Sequence, residues 1–297
     1  MRAGEQGFLL LSSHLGDPER RPLTTAQLRT LADRSWKLDT QNGDREMEVS
    51  DLTALGYGRE MAQRILNLLS QQDLLEEYLR SARRKGCYPI TRVSEGYPLV
   101  VRKRLGLDSP GVLWAKGEQE ILNKPKISLV GSRDILPENR EFAQEVGRQA
   151  ALQGYVLVSG NARGADRAAQ EACLAAGGQV IVVVADSLTE YIQKENILYL
   201  SEDGFDLEFS AQRALSRNRV IHCLGNLVMV AQCSLRTGGT WDGTTRNLHH
   251  GWSPVLCFAD GSAAMMELEQ MGAGMIGLAA LGCFEQIYQL QPSFFDQ

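Results

Sequence analysis

The feature that most constrains this chain is a series of short, unbroken apolar runs alternating with helix-patterned stretches. The runs at 127–130, 155–158, 180–184, 227–230 and 255–258 show almost no polar alternation, and 112–115 is a further one upstream. A strand that is apolar on both faces must be covered on both faces, so such runs predict a parallel sheet between helices. The intervening stretches supply those helices. Pro137 opens one whose Phe142, Val146 and Ala150 share a face. Ala165, Ala168, Ala169, Ala172, Cys173 and Ala176 form an i, i+3, i+4 stripe that stops at Gly177 and Gly178. A third runs over about 241–250 and ends at Gly251. The implied fold class is α/β, an extended Rossmann-like parallel sheet flanked by helices.

Residues 1–86 follow another pattern, helical with no convincing strand. Leu52, Leu55, Ala62, Ile65, Leu66 and Leu69 recur at helical spacing on either side of Gly56, Tyr57 and Gly58, which reads as helix, tight turn, helix. This resembles a SAM-like or helix–hairpin–helix unit. Such a unit can hold a DNA backbone through its turn amides or serve as a packing module only. An amphipathic helix over 72–84 ends in Arg83, Arg84, Lys85 and Gly86, cations and a glycine that suit a helix C-terminus. The expected division is a small all-α domain over 1–86 and a Rossmann-like domain over 87–297. At 297 residues, two domains are a reasonable expectation. Six cysteines without CxxC spacing predict reduced thiols, no metal site and a cytoplasmic protein. The longest apolar run, 272–284, is too short to span a bilayer, and four apolar residues at 8–11 are too few for a signal peptide. The part of that run over 275–284 could be an interface or a core helix.

Ligands of an open parallel sheet bind beyond the carboxyl ends of its strands. Three turns there carry glycine, a hydroxyl and an arginine: Gly131, Ser132 and Arg133; Ser159, Gly160, Arg163 and Gly164; and Arg236 with Thr237, Gly238, Gly239 and Thr240. Glycine lets the backbone approach an anion, the following helix offers free amides, and arginine forks onto phosphate oxygens. Asp166 suits the start of its helix, could clamp Arg163, and is least suited to catalysis. The net charge of −5 excludes a uniformly basic surface, yet residues 211–250 hold five arginines and one acid, a net +4. Arg213, Arg217, Asn218 and Arg219 fall there, and this asymmetry is expected of a polyanion site. Trp241 is the nearest aromatic for base stacking, although it can equally pack beneath its turn. Neither GxGxxG nor GxxxxGK[ST] follows a strand, so no dinucleotide or P-loop cofactor is expected. Residues 237–244 distantly resemble the PGGxGTxxE turn of nucleotide phosphoribohydrolases, but Asn247 stands where the glutamate would be.

The order GSR (131–133), SGNARGAD (159–166) and RNR (217–219), with TGGTWDGTT at 237–245, resembles the DNA-processing protein A (DprA/Smf) family over about 87–280. The resemblance implies a non-enzymatic single-stranded DNA-binding protein. It implies homodimers and handover of DNA to the RecA recombinase in natural transformation or recombination, here without the winged-helix domain many members carry. Arg133 and Arg163 match DNA-contacting positions; Gly131, Ser132, Gly160 and Gly164 match the pocket loops; Arg217, Asn218 and Arg219 match the RNR element. Lys194 stands in a segment one residue longer than the family's and without its proline. No cofactor, no metal, no catalytic residue and no membrane partner are implied. The alternatives are a nucleotide-binding sensor or a nucleotide phosphoribohydrolase on the same fold.

Overall fold

A computed structural model describes residues 1–35 and 47–290. The helical region holds α1 (Ala3–Ser12), α2 (Thr25–Ser35), α3 (Val49–Ala54), α4 (Arg59–Leu69) and α5 (Gln72–Arg84). Next come β1 (Tyr88–Thr91), α6 (Leu99–Leu105), β2 (Val112–Lys116), β3 (Lys126–Val130), α7 (Pro137–Leu152), β4 (Val156–Ser159) and α8 (Ala165–Ala175). They are followed by β5 (Val180–Val184), β6 (Ile197–Glu202), α9 (Ala211–Leu224), β7 (Leu227–Val230) and α10 (Gly238–His250). The last elements are β8 (Val255–Phe258), α11 (Ala263–Gln270), β9 (Gly274–Ile276) and α12 (Phe284–Leu290).

The strands form one nine-stranded sheet in the order β1-β2-β6-β5-β4-β3-β7-β8-β9. From β6 to β9 every neighbouring pair is parallel, whereas β2 runs antiparallel to both β6 and β1. The unbroken apolar runs are explained by two cores, one on each face. Ile127, Leu129 and Leu157 pack with α7 and α8 on one side. Val130, Val158, Ile181 and Val228 pack with α6, α9 and α11 on the other. β1, β6 and β9 carry no signal that separates them from the surrounding chain, and the sequence reading missed them. The apolar run at 272–284 is not one helix. It makes β9 and a short 3-10 turn, and drives Leu281 and Phe284 into the first core.

In the helical region α3 and α4 meet across Gly56, whose φ of +84° suits glycine. Leu23, Leu52, Ala62, Ile65 and Leu68 form a small core of their own. By contrast α1 and α5 lie against the sheet: Tyr78 of α5 meets Trp114 of β2 edge-on at 5.2 Å and donates to Asp206 at 2.7 Å. All six cysteines are free. Among the described residues no helix is long and apolar enough to cross a membrane.

Candidate functional site

The turns after β3 and β7 line one cleft of about 540 Å³, floored by α9 and joined at its edge by the turn after β4. Three hydrogen bonds knit these turns together. The Ala165 amide donates to the Ser132 carbonyl at 3.1 Å. The Thr240 hydroxyl donates to the Gly131 carbonyl at 3.0 Å. The Asn218 side-chain amide donates to the Gly239 carbonyl at 3.0 Å. Two glycines are required for this approach. A Cβ on Gly131 would collide with Ala165, and Gly164, at φ +86°, lies against the Ser132 and Arg133 carbonyls. The N-terminus of the 13-residue α10 opens on the cleft at Thr237, Gly238, Gly239 and Thr240. Its first amides have no partner within the helix and carry the positive end of its dipole.

Two arginines supply charge. Arg133 is exposed at the rim, with no ion pair among the described residues. Arg217 lies deep, its guanidinium seated on Gly160, where any Cβ would displace it. Its Nε is buried with no hydrogen-bond partner. Burial lowers its proton affinity, against the pull of Asp166, Asp186 and Tyr191. Asp166 is 5% exposed. It accepts the Ala162 amide at 3.2 Å, and burial pushes its pKa up to about 6 against the opposing charge of Arg217. Asp166 therefore faces Arg217 rather than clamping Arg163.

The remaining predicted residues divide. Gly131, Ser132, Arg133, Arg217, Asn218, Thr237, Gly238, Gly239 and Thr240 line the cleft. Arg163 is exposed beside it in a 3.2 Å pair with Asp134. Ser159 is buried, its hydroxyl accepting from Gln170 at 2.6 Å. Arg213 is turned away: its guanidinium donates to the carbonyls of Ala185, Leu207, Glu208 and Glu202 and to the Ser201 hydroxyl, at 2.7–3.2 Å. Arg219, two residues from Arg217 and so on another helix face, pairs with buried Glu202 at 2.7 Å. Lys194 stands three residues before β6, where the chain has returned to the amino ends of the strands. Polar or saturated anchors consumed the cations that composition alone had counted as free.

Some residues at the cleft were not foreseen. Phe209, 59% exposed, and Leu215, 48% exposed, form an apolar rim. The signal for Phe209 was its place just before Ser210, which caps α9 by accepting the Arg213 amide at 3.1 Å. An apolar residue there usually staples to the fourth helical residue, and in this chain that is only Ala214. Trp241 instead packs against the second core. His222, 1% exposed, also lines the cleft. Asn247, at the position where a hydrolase glutamate would stand, is fully buried and bonded to His222 and the Ser253 amide.

An open, mostly parallel sheet whose carboxyl edge gathers glycine turns and a helix N-terminus into one cleft places the chain among Rossmann-like α/β proteins. Residues 89–251 match the family described as DNA recombination-mediator protein A, and the chain belongs to that family. It is 29% identical over 175 residues to the DNA processing protein DprA of Bacillus subtilis, which covers 55% of this chain and 58% of the relative. The chain thus spans about half the length of the curated relatives it matches. The solved structure of DNA processing protein A from Streptococcus pneumoniae aligns with a TM-score of 0.64 at 24% identity, over 86% of this chain and 95% of that one. That of Helicobacter pylori, described for its single-stranded DNA binding mode, aligns with a TM-score of 0.54 at 21% identity, over 69% and 94%. At these identities the likeness is one of fold.

Proposed function

We propose that the cleft binds single-stranded DNA and that the chain acts without catalysis, as a DNA-binding recombination mediator. The observation that carries this reading is the knitting of the turns after β3, β4 and β7 around one cleft. There, exposed Arg133, Arg217 and the first residues of α10 line the same space. Phosphates meet these donors, while Phe209 and Leu215 give bases an apolar rim. Family membership and the single-strand binding of the Helicobacter pylori relative support the assignment. Asn247 in place of a carboxylate disfavours nucleotide hydrolysis.

The DNA-contacting set is Arg133, Arg217 and the amides at 238–240, with Arg163 at the margin. The physiological step is delivery of the strand to the RecA recombinase in the cytoplasm, by a homodimer, during transformation or recombination. The division at 86/87 is kept, with the small α3–α4 core as the centre of the helical unit. Fluorescence anisotropy of labelled single-stranded and duplex oligonucleotides across a salt series tests the reading. Single strands are expected to bind more tightly, with log K falling against log salt by about 0.7 per phosphate contacted. Equal or absent binding of both forms would reject it.

A further inference from the structure

Arg167, on α8 just outside the cleft, is a cation that neither the fold nor the cleft explains. It is exposed and, among the described residues, makes no hydrogen bond and no ion pair, not even with Glu171 one turn further on. Its place does not serve the helix. Arg167 is the third residue of α8, where a cation opposes the positive end of the dipole. Packing does not require it either, because Ala165, Ala168 and Ala169 bury the inner face while Arg167 lies outside. The turns after β3 and β4 are locked together by the Ala165 amide on the Ser132 carbonyl at 3.1 Å. Three exposed arginines therefore follow one another from the rim onto α8. Arg133 lines the cleft, Arg163 lies beside it, and Arg167 stands four residues after Arg163, at most about 14 Å of chain away. Within residues 131–134 and 162–167 the one exposed acid is Asp134, since Asp166 is buried. The other end of the cleft differs. Across Leu215 lies a pocket of about 340 Å³ whose arginines are taken: Arg246 pairs with Asp242 at 3.2 Å and Arg219 with Glu202 at 2.7 Å, and Asp108 also lines it.

We propose that a strand held in the cleft leaves it across α8, and that Arg167 binds a backbone phosphate there, outside the cleft. This rests on the single-strand reading and adds a direction and a further phosphate subsite to it. An exposed guanidinium without a carboxylate partner takes a phosphate without giving up any contact. Arg163, between the cleft and Arg167, gives up only an exposed pair with Asp134, of the kind that contributes little. At the other end a phosphate would have to displace Asp242 from Arg246 or the buried Glu202 from Arg219. A phosphate contact positions the strand and carries no sequence information, so the subsite is indifferent to the base.

The test measures labelled oligo(dT) of about 4 to 16 nucleotides on the full chain and on Arg167→Ala, Arg167→Glu and Arg246→Ala. The last removes one exposed arginine at the other end and controls for overall charge. On the longest oligomer Arg167→Ala is expected to bind about threefold more weakly and Arg167→Glu about tenfold. Arg167→Ala should also lower the salt slope by about 0.7, the share of one phosphate on a single strand. The loss should shrink as the oligomer shortens, because a short strand fills the cleft without reaching α8. Arg246→Ala should bind every length as wild type does. A glutamate at the third helical position suits the dipole, so Arg167→Glu should unfold in urea no earlier than wild type while losing affinity. Unchanged affinity for the longest oligomer in both Arg167 variants overturns the proposal. So does a loss equal at all lengths, or one shared by Arg246→Ala. Failure of wild type to bind any oligomer would instead reject the single-strand reading itself.

Discussion

Two arginine–carboxylate clusters flank α9, and they are built from the same residue types to opposite ends. Toward β6, Arg219 meets Glu202 at 2.7 Å and the two terminal nitrogens of Arg213 reach five acceptors. Burial pushes the Glu202 carboxyl up, against the pull of Arg219. Toward β4, Arg217 faces Asp166 with no hydrogen bond between them, and among the described residues its guanidinium makes no hydrogen bond at all. The first cluster bolts the helix to the sheet. The second holds a cation close to a carboxylate without satisfying it, which leaves donors for an incoming anion. Counting charges cannot tell these cases apart; counting hydrogen bonds can.

The comparison can be broken from either side. The largest effect is expected at the bolt. Arg219→Ala leaves Glu202 buried and unpaired and should cost about 3 kcal/mol of stability, read by urea unfolding. DNA affinity measured on the folded fraction should hardly change. Arg217→Ala should do the reverse, weakening single-stranded DNA by about 2 kcal/mol while the denaturation midpoint moves little; a large stability loss with intact affinity would reverse the two roles. Arg133→Ala, at an exposed position, should cost about 1 kcal/mol in affinity for every oligonucleotide and reduce the salt slope by about 0.7. The smallest effect is that of pH. Asp166, raised to about 6 in the folded chain, binds its proton more tightly there than when unfolded. Its contribution to stability is therefore largest in acid, below the unfolded value, and declines as pH rises through 6. The same ionisation places a negative charge opposite bound phosphate, so DNA affinity should weaken modestly between pH 5 and 7 (about twofold or threefold). Asp166→Asn should flatten both profiles; a wild-type slope retained in this variant would assign the proton elsewhere.

Much of the fold was legible because burial on both faces leaves a mark on every residue of a central strand. The strands read at 180–184, 227–230 and 255–258 have those bounds, and α5 spans the predicted 72–84. β6 escaped because a polar Ser201-Glu202 end and a neighbouring loop disguise it, although all six of its residues are buried. β1 and β9 are short edge strands, where pairing rather than composition decides. At the cleft, the glycines and Arg133 were legible for a local reason: a turn after a buried strand needs them in place.

The sequence by itself determined the alternation of strand and helix, and with it the sheet edge where a ligand site belongs, since periodicity and glycine placement are local properties. Only the tertiary structure decided which arginines remain available and which partner His222 takes. Those outcomes depend on partners far along the chain: Glu202 for Arg219, Gly160 for Arg217, Asn247 for His222. A side chain's hydrogen bonds are made in three dimensions, so the identity of its neighbours along the chain does not reveal whether its donors are already used.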